Sequence, residues 1–242
     1  MDFPLDAISS IIAFVIVTAG ATFQGTIGFG LGPLAVPLLV LINPDFVPGP
    51  LLFSALLLTI LMSYREYHAI DVKGLKWAVV GRIVGTIIGA ALLIIIPGNS
   101  LSIMFGIMVL LAVGISMAGV ILPITPRNLF GAGTFSGFMG TTAAIGGPPV
   151  ALLYQNQEGP RLRGTLSAIF VIGTIISLVS LAVIGRFGLK EILMGLVLFP
   201  GIILGFYLSN RTTKVLDRGF IRPAVLIASA VAGIIVIIRS II

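Results

Sequence analysis

Glycines and prolines set among small hydroxyl and amide side chains are the residues of this chain best placed to do chemistry. One cluster reads Phe23-Gln24-Gly25-Thr26-Ile27-Gly28-Phe29-Gly30-Leu31-Gly32-Pro33, and the other reads Phe135-Ser136-Gly137-Phe138-Met139-Gly140-Thr141-Thr142-Ala143-Ala144-Ile145-Gly146-Gly147-Pro148-Pro149. Both carry Phe-x-Gly-x-x-Gly and then Gly-Pro. Glycine lets a backbone break and approach a ligand closely, and proline sits well in the first turn of a new helix. Half-helices are therefore expected to begin near Pro33 and Pro148. Their free amides would carry partial positive charge, worth about 0.3–1 kcal/mol to an anion and more when buried. They would do so without a lysine in lipid.

The side chains of Gln24, Thr26, Thr134, Ser136, Thr141 and Thr142 could complete such a site by donating hydrogen bonds to an oxyanion. The candidate substrate-binding set is thus Gln24, Gly25, Thr26, Gly28, Gly30, Gly32, Pro33, Ser136, Gly137, Gly140, Thr141, Thr142, Gly146, Gly147 and Pro148, with Arg82 as a possible cation. Taken one at a time, these residues also admit a plainer reading. Glycines permit close helix packing, and hydroxyls bond the preceding turn. The paired breaks and restarts, taken together, favour a site.

The elements that must position these residues follow from composition. Of 242 residues 58% are hydrophobic and 9% charged, with a mean hydropathy of +1.21, too little polar surface for a soluble globule. Residues 48–64, 77–96, 101–121, 164–185, 191–209 and 223–240 each come close to the roughly 20 apolar residues that span a hydrocarbon core. They lack the alternation of barrel strands, so the expected fold is an all-α polytopic membrane protein. The stretches 5–42 and 128–153 are interrupted by glycines and restart at proline, and each reads as a hairpin. The N-terminal Met1-Asp2-Phe3-Pro4 lacks the basic start of a secretory signal, so the first apolar stretch is read as retained.

Each glycine cluster is followed by three apolar spans, the pattern of a duplicated half: residues 1–122 and 123–242 are expected to be two membrane repeats forming one transport domain. An odd number of spans between equivalent points makes the repeats inverted. Basic residues test that assignment independently. With the loop from Arg65 to Lys76 in the cytoplasm and each cluster returning to its starting side, Arg65, Lys73, Lys76, Arg82, Arg127, Arg161, Arg163, Arg211, Lys214, Arg218 and Arg222 fall inside. Only Arg186, Lys190 and Arg239 fall outside. Both termini are then external. The formal charge of +6 is accounted for by these loops, and no nucleic acid partner is expected.

Arg82 stands in the inner third of the span 77–96. It either reaches a translocating anion or snorkels to the headgroups, and its depth favours snorkelling. Tyr64, Tyr67, Trp77 and Tyr154 lie at span ends and read as interfacial anchors. His68, the one histidine, sits in a basic loop and is expected to be solvated. With no cysteine and one histidine, no thiolate or bis-histidine site is available, and neither cofactor nor metal is expected.

At its two glycine clusters the sequence resembles the TauE/SafE family of sulfite exporters, and the resemblance covers essentially the whole chain. The first cluster matches the family's G-x-x-G-x-G-x-G at Gly25, Gly28, Gly30 and Gly32, followed by Pro33 and Pro37. The second matches S-G-x-x-G and G-G-P-P at Ser136, Gly137, Gly140, Gly146, Gly147, Pro148 and Pro149. It departs from the commoner form by carrying Thr141-Thr142-Ala143-Ala144 between the glycines. The resemblance implies transport of sulfite, sulfonates such as sulfoacetate, or related small organosulfur or carboxylate anions across a prokaryotic plasma membrane.

Direction has a physical argument. A negative-inside potential drives each negative charge outward with about 2.3 kcal/mol per 100 mV, and no Asp or Glu lies in the interior of the expected spans to couple an ion, Asp45 and Glu191 standing near outer ends. Export or facilitated flux is the expectation. An anion channel or a transport-complex subunit is the alternative of a different kind. An intramembrane enzyme would need a carboxylate pair, a metal cluster or a Ser-His pair at depth, and the sequence offers none. The partners expected are a small anion and the lipid bilayer, with a homo-oligomer left open.

Overall fold

In the computed structural model, residues 7–97, 100–216 and 221–241 are described, with side chains described over 8–97, 100–212 and 225–240. Met1–Pro4, Asp217 and Arg218 lie outside the described residues, as do the side chains of Lys214 and Arg222. The regular structure among the described residues is helical: α1 (Ala7–Ile27), α2 (Leu31–Ile42), α3 (Gly49–Arg65), α4 (Val72–Ile95), α5 (Leu101–Met117), α6 (Pro126–Ala143), α7 (Gly147–Tyr154), α8 (Gly159–Val183), α9 (Leu189–Leu216) and α10 (Ile221–Ile241).

Local chemistry moves several ends away from the apolar boundaries. The Asp71 carboxylate accepts from Gly74 N at 3.2 Å, so α4 starts at Val72 rather than at Trp77. A side-chain oxygen in that position satisfies one of the orphan amides of a helix start. Gly119 has φ 61° and Pro123 follows, so α5 stops at Met117 rather than at residue 121. Thr125 caps α6 by accepting from Asn128 N at 3.3 Å, with Pro126 at its first position.

Among the described residues four helical segments are long and apolar enough to cross a membrane: Ile8–Ile27, Val72–Ile95, Gly159–Val183 and Leu189–Thr212. Three of the four fall on expected spans, while the first is α1, the long arm of a hairpin. α3 and α5 have 17 residues each, about the lower limit for a span. Of α10, Val225–Ser240 is the described apolar part.

Both expected breaks are present. Helix α1 ends at Ile27, Gly28 and Gly30 adopt φ 104° and 132°, and α2 starts at Leu31. Those angles belong to glycine. Helix α6 ends where Ala144 turns left-handed at φ 57°, with Ala144 N bonded to Gly140 O and Ile145 N to Met139 O. The bond from Ala144 N to Gly140 O is the left-handed helix stop usual for glycine, carried out here by an alanine. The restart at Gly147 puts Pro148 in the first turn of α7.

The long helices pair in a definite pattern. α4 packs on α6 and α1 on α9, α5 packs on α10 and α3 on α8, while α2 meets α10 and α7 meets α5. Exchanging α1–α5 with α6–α10 in order returns the same set of pairs. Small residues bring the backbones together. A Cβ on Gly81 would strike Phe130 O and one on Gly85 Thr134 O. On the other pair, a Cβ on Gly201 would meet Phe14 O at 2.9 Å and one on Gly205 Thr18 O at 2.7 Å.

The charged loop groups collect at two opposite ends. Arg65 and Arg163 share Glu66 and Arg161 pairs with Asp71 at one, and Lys190 bonds Asp45 at 2.6 Å at the other. Tyr64, Tyr67 and Trp77 are exposed. Tyr154 is fully buried and donates to Asp71 at 3.2 Å, so it is a structural hydrogen-bond donor and not the interfacial anchor its place in the sequence suggested. Its hydroxyl packs against Gly74 at the start of α4, where a Cβ would collide with it.

Candidate functional site

The two breaks touch. A Cβ on Gly32 would strike Ala144 O, and one on Gly147 would meet the Phe29 side chain at 2.8 Å. Between them lies a small cavity of about 40 Å³ lined by Gln24 from α1, Gly30–Pro33 from the first break, Leu51, Leu52, Ala55 and Thr59 from α3, and Arg82 from α4. Gly140, Ala144–Gly147, Phe170 and Thr174 complete the wall from α6, the second break and α8. About 10–15 Å³ of such space holds one water, so the cavity suits a compact ion of a few heavy atoms.

Arg82 dominates its chemistry. Because α4 starts at Val72, Arg82 stands about 15 Å along the helix at 1.5 Å per residue, near the middle of a core about 30 Å thick. Its side chain is 2% exposed. The snorkelling expectation is therefore corrected: the added first turns of α4 put this cation too deep to reach the headgroups. Nη1 donates to Ser136 Oγ at 2.7 Å, and Ser136 Oγ donates onward to Gly146 O at 2.6 Å. The guanidinium lies 5.4 Å from the centroid of the Phe170 ring. Its room is made by glycines: a Cβ on Gly146 would come 3.0 Å from Nη1, one on Gly140 3.1 Å from Nη2, and one on Gly173 would collide with Nε.

What Arg82 lacks is an anion. A guanidinium has five N–H donors, its Nε is buried with no hydrogen-bond partner, and no carboxylate of the described residues pairs with it. An uncompensated buried charge costs several kcal/mol. The ring face of Phe170 offsets part of that.

The helix starts contribute less than expected, because Pro33, Pro148 and Pro149 have no N–H. In α2 the Leu31 amide already donates to Gln24 Oε1 at 3.2 Å. Gly32 and Gly147 are the residues of the first turns that still have an amide to offer at the cavity wall. Gln24, 5% exposed, keeps its amide nitrogen for the same space.

Of the residues singled out in the sequence, Gln24, Gly30, Gly32, Pro33, Arg82, Gly140, Gly146 and Gly147 line the cavity, and Ser136 holds Arg82 in it. The others do not line it. Thr26 bonds Thr22 O and Thr212 Oγ1, and Thr142 bonds Phe138 O. Thr134 bonds Phe130 O. Thr141 joins Thr86 at 3.1 Å and Ser177 at 2.8 Å in a buried hydroxyl cluster. Gly25 packs against Ser209, Gly137 against Arg82 O, and Gly28 against Leu162. Pro148 carries the α7 restart. The sequence reading missed Thr59, Phe170, Gly173 and Thr174; Thr59 and Thr174 carry the same mark as the hydroxyls it singled out, a polar residue in an apolar helix, whereas nothing in the pattern marks Phe170 or Gly173.

Helices of membrane length, broken twice around a buried unpaired cation, define an integral membrane protein of the transporter class. The chain matches the family described as sulfite exporter TauE/SafE over residues 12–236, and it belongs to that family. Membership implies a membrane exporter of sulfite or a related anion. No curated protein and no solved structure matches the chain significantly.

Proposed function

We propose that this protein exports a small sulfur oxyanion or sulfonate across a prokaryotic plasma membrane, binding it at Arg82 between the two helix breaks. The observation that carries the reading is the buried Arg82 guanidinium, with Nε unpartnered and no carboxylate of the described residues paired with it. An oxyanion in the cavity supplies the missing charge and can take two parallel N–H bonds from one guanidinium. The Gln24 amide and the Gly32 and Gly147 N–H groups add donors from the opposite wall. A cavity of about 40 Å³ favours sulfite and the head of a short sulfonate over larger anions.

Residues 1–122 and 123–242 act in this reading as two inverted repeats that move about the bound anion. Supporting this are the helix pairs that survive exchange of the halves and the gathering of basic groups at one end of the bundle. The membrane potential, negative inside, is sufficient to drive export.

Uptake of labelled sulfite, sulfoacetate and acetate into proteoliposomes under an imposed potential tests the proposal. Saturable flux of sulfite or sulfoacetate that follows the voltage is expected, falling roughly a hundredfold in Arg82→Gln, as loss of a buried charge partner does. Undiminished flux in that variant would overturn the site. Flux of none of these anions would overturn the substrate class, and a current that never saturates would make the protein a channel.

A further inference from the structure

A second cluster of charge closes the end of the bundle that holds Arg65 and Arg163. Glu66 Oε1 stands 2.9 Å from Arg163 Nε and 3.3 Å from Arg65 Nε, so one carboxylate oxygen sits between two guanidiniums. The three side chains are 19%, 13% and 13% exposed for Arg65, Glu66 and Arg163. Two cations and one anion leave this cluster with an excess positive charge at the mouth of the bundle.

The same arginines hold the end of α1. Arg65 Nη2 donates to Gly25 O at 2.6 Å, its Nη1 donates to Ser209 Oγ and Asn210 Oδ1, and Arg163 Nη1 reaches Thr26 O at 3.4 Å. The neighbouring residue on α1, Gln24, is in the cavity wall. Arg163 lies about 10 Å along α8 from Phe170, toward the helix start, at 1.5 Å per residue. The cluster is thus one short step from Arg82, on the cytoplasmic side by the charge bias. The opposite end has no counterpart among the described residues. There Lys190 and Asp45 pair with 54% of each side chain exposed.

We propose that Arg65 and Arg163 form a second oxyanion site, a loading station at the cytoplasmic mouth, in which Glu66 is a resident anion that the substrate displaces. This rests on the reading of the chain as an anion exporter. A carboxylate and a sulfur oxyanion present the same kind of charged oxygen to a guanidinium, so the contacts Glu66 makes are those a substrate makes when Glu66 swings out. The station concentrates anions on the side from which export begins. Through Gly25 O and Thr26 O, its occupancy bears directly on the first helix break.

Equilibrium binding of radiolabelled sulfite to the purified full chain tests this, with Arg82→Gln as the background that removes the inner site. That variant is expected to keep a weak sulfite site. Adding Glu66→Gln, which removes the competing carboxylate, tightens this site roughly tenfold, and adding Arg163→Gln instead abolishes it, whereas Arg163→Lys retains part of it. The station is overturned if Arg82→Gln binds no sulfite even with Glu66→Gln added, or if Glu66→Gln weakens binding. Either result leaves the export reading intact provided wild type still transports. A wild type that neither binds nor transports any anion would defeat the export reading itself.

Discussion

The seam between α4 and α6 and the seam between α1 and α9 are built alike and equipped differently. Both run parallel helices at backbone contact over glycines: Gly81 and Gly85 against Phe130 and Thr134 in one, Gly201 and Gly205 against Phe14 and Thr18 in the other. The residue after the first glycine of each pair is fully or almost fully buried. In the first seam it is Arg82, in the second Ile202. The scaffold occurs twice and the charge once. Close helix packing is therefore the common property of these glycines, and the binding proposed above belongs to the seam that also carries Arg82, Ser136 and the second break.

The comparison breaks most visibly at those two buried positions. Ile202→Met is expected to keep sulfite flux within roughly threefold of wild type, since a volume-conserving swap in a core costs little. Arg82→Met should abolish it, and equal losses in the two would show that both seams bind. Next come the glycines. Gly85→Val and Gly205→Val should each lower the thermal midpoint in detergent by several degrees or prevent folding, because a Cβ meets backbone at both. Damage confined to one seam would mean that the scaffolds are not equivalent.

A smaller effect is expected at Thr141, whose hydroxyl is shared with Thr86 and Ser177. Thr141→Ala should cost about 1–3 kcal/mol of stability by leaving buried partners unsatisfied, while the sulfite KM stays unchanged; a large rise in KM would place Thr141 at the substrate.

The smallest effect concerns the start of α4. Burial pushes the Asp71 carboxyl up, but Gly74 N–H, Arg161 and Tyr154 O–H outweigh it and hold it below its ordinary value. A depressed pKa in the folded state contributes stability above the unfolded value, and this is lost as pH falls through the folded one. Asp71→Asn keeps a capping oxygen but removes the charge held by Arg161, and should therefore lower the thermal midpoint only slightly at neutral pH. Thermal melts should show the gap closing as the medium is acidified below the carboxylate range, and a gap that persists there would rule out ionisation as its source.

Much of this architecture was legible because its signals are local. Glycine and proline announced the breaks at 28–30 and 144–146, and the half-helices begin at Leu31 and Gly147, within two residues of Pro33 and Pro148. The start of α4 was misplaced because apolarity was followed and the Asp71 cap was not, and that shift carried Arg82 from apparent snorkelling distance to the middle of the bundle. The hydroxyls misled for another reason. Thr26, Thr141 and Thr142 are polar residues in an apolar helix whether they face a cavity or satisfy one another, and only their neighbours decide. Phe170 and Gly173 gave no sign at all, since a ring and a gap shaped for a guanidinium look like ordinary helix packing until the guanidinium is in place.

If Arg82 binds the exported anion as proposed, its buried charge has an electrical consequence. In a cycle that opens the site alternately to each side, the empty site carries one positive charge and a site loaded with a monovalent oxyanion carries none. The loaded step is then indifferent to voltage, and the potential acts on the empty return, pulling the vacant positive site back toward the negative interior with up to about 2.3 kcal/mol per 100 mV. The protein would behave as a spring reset by the membrane, with turnover limited by the return at low potential and by release of the anion at high potential.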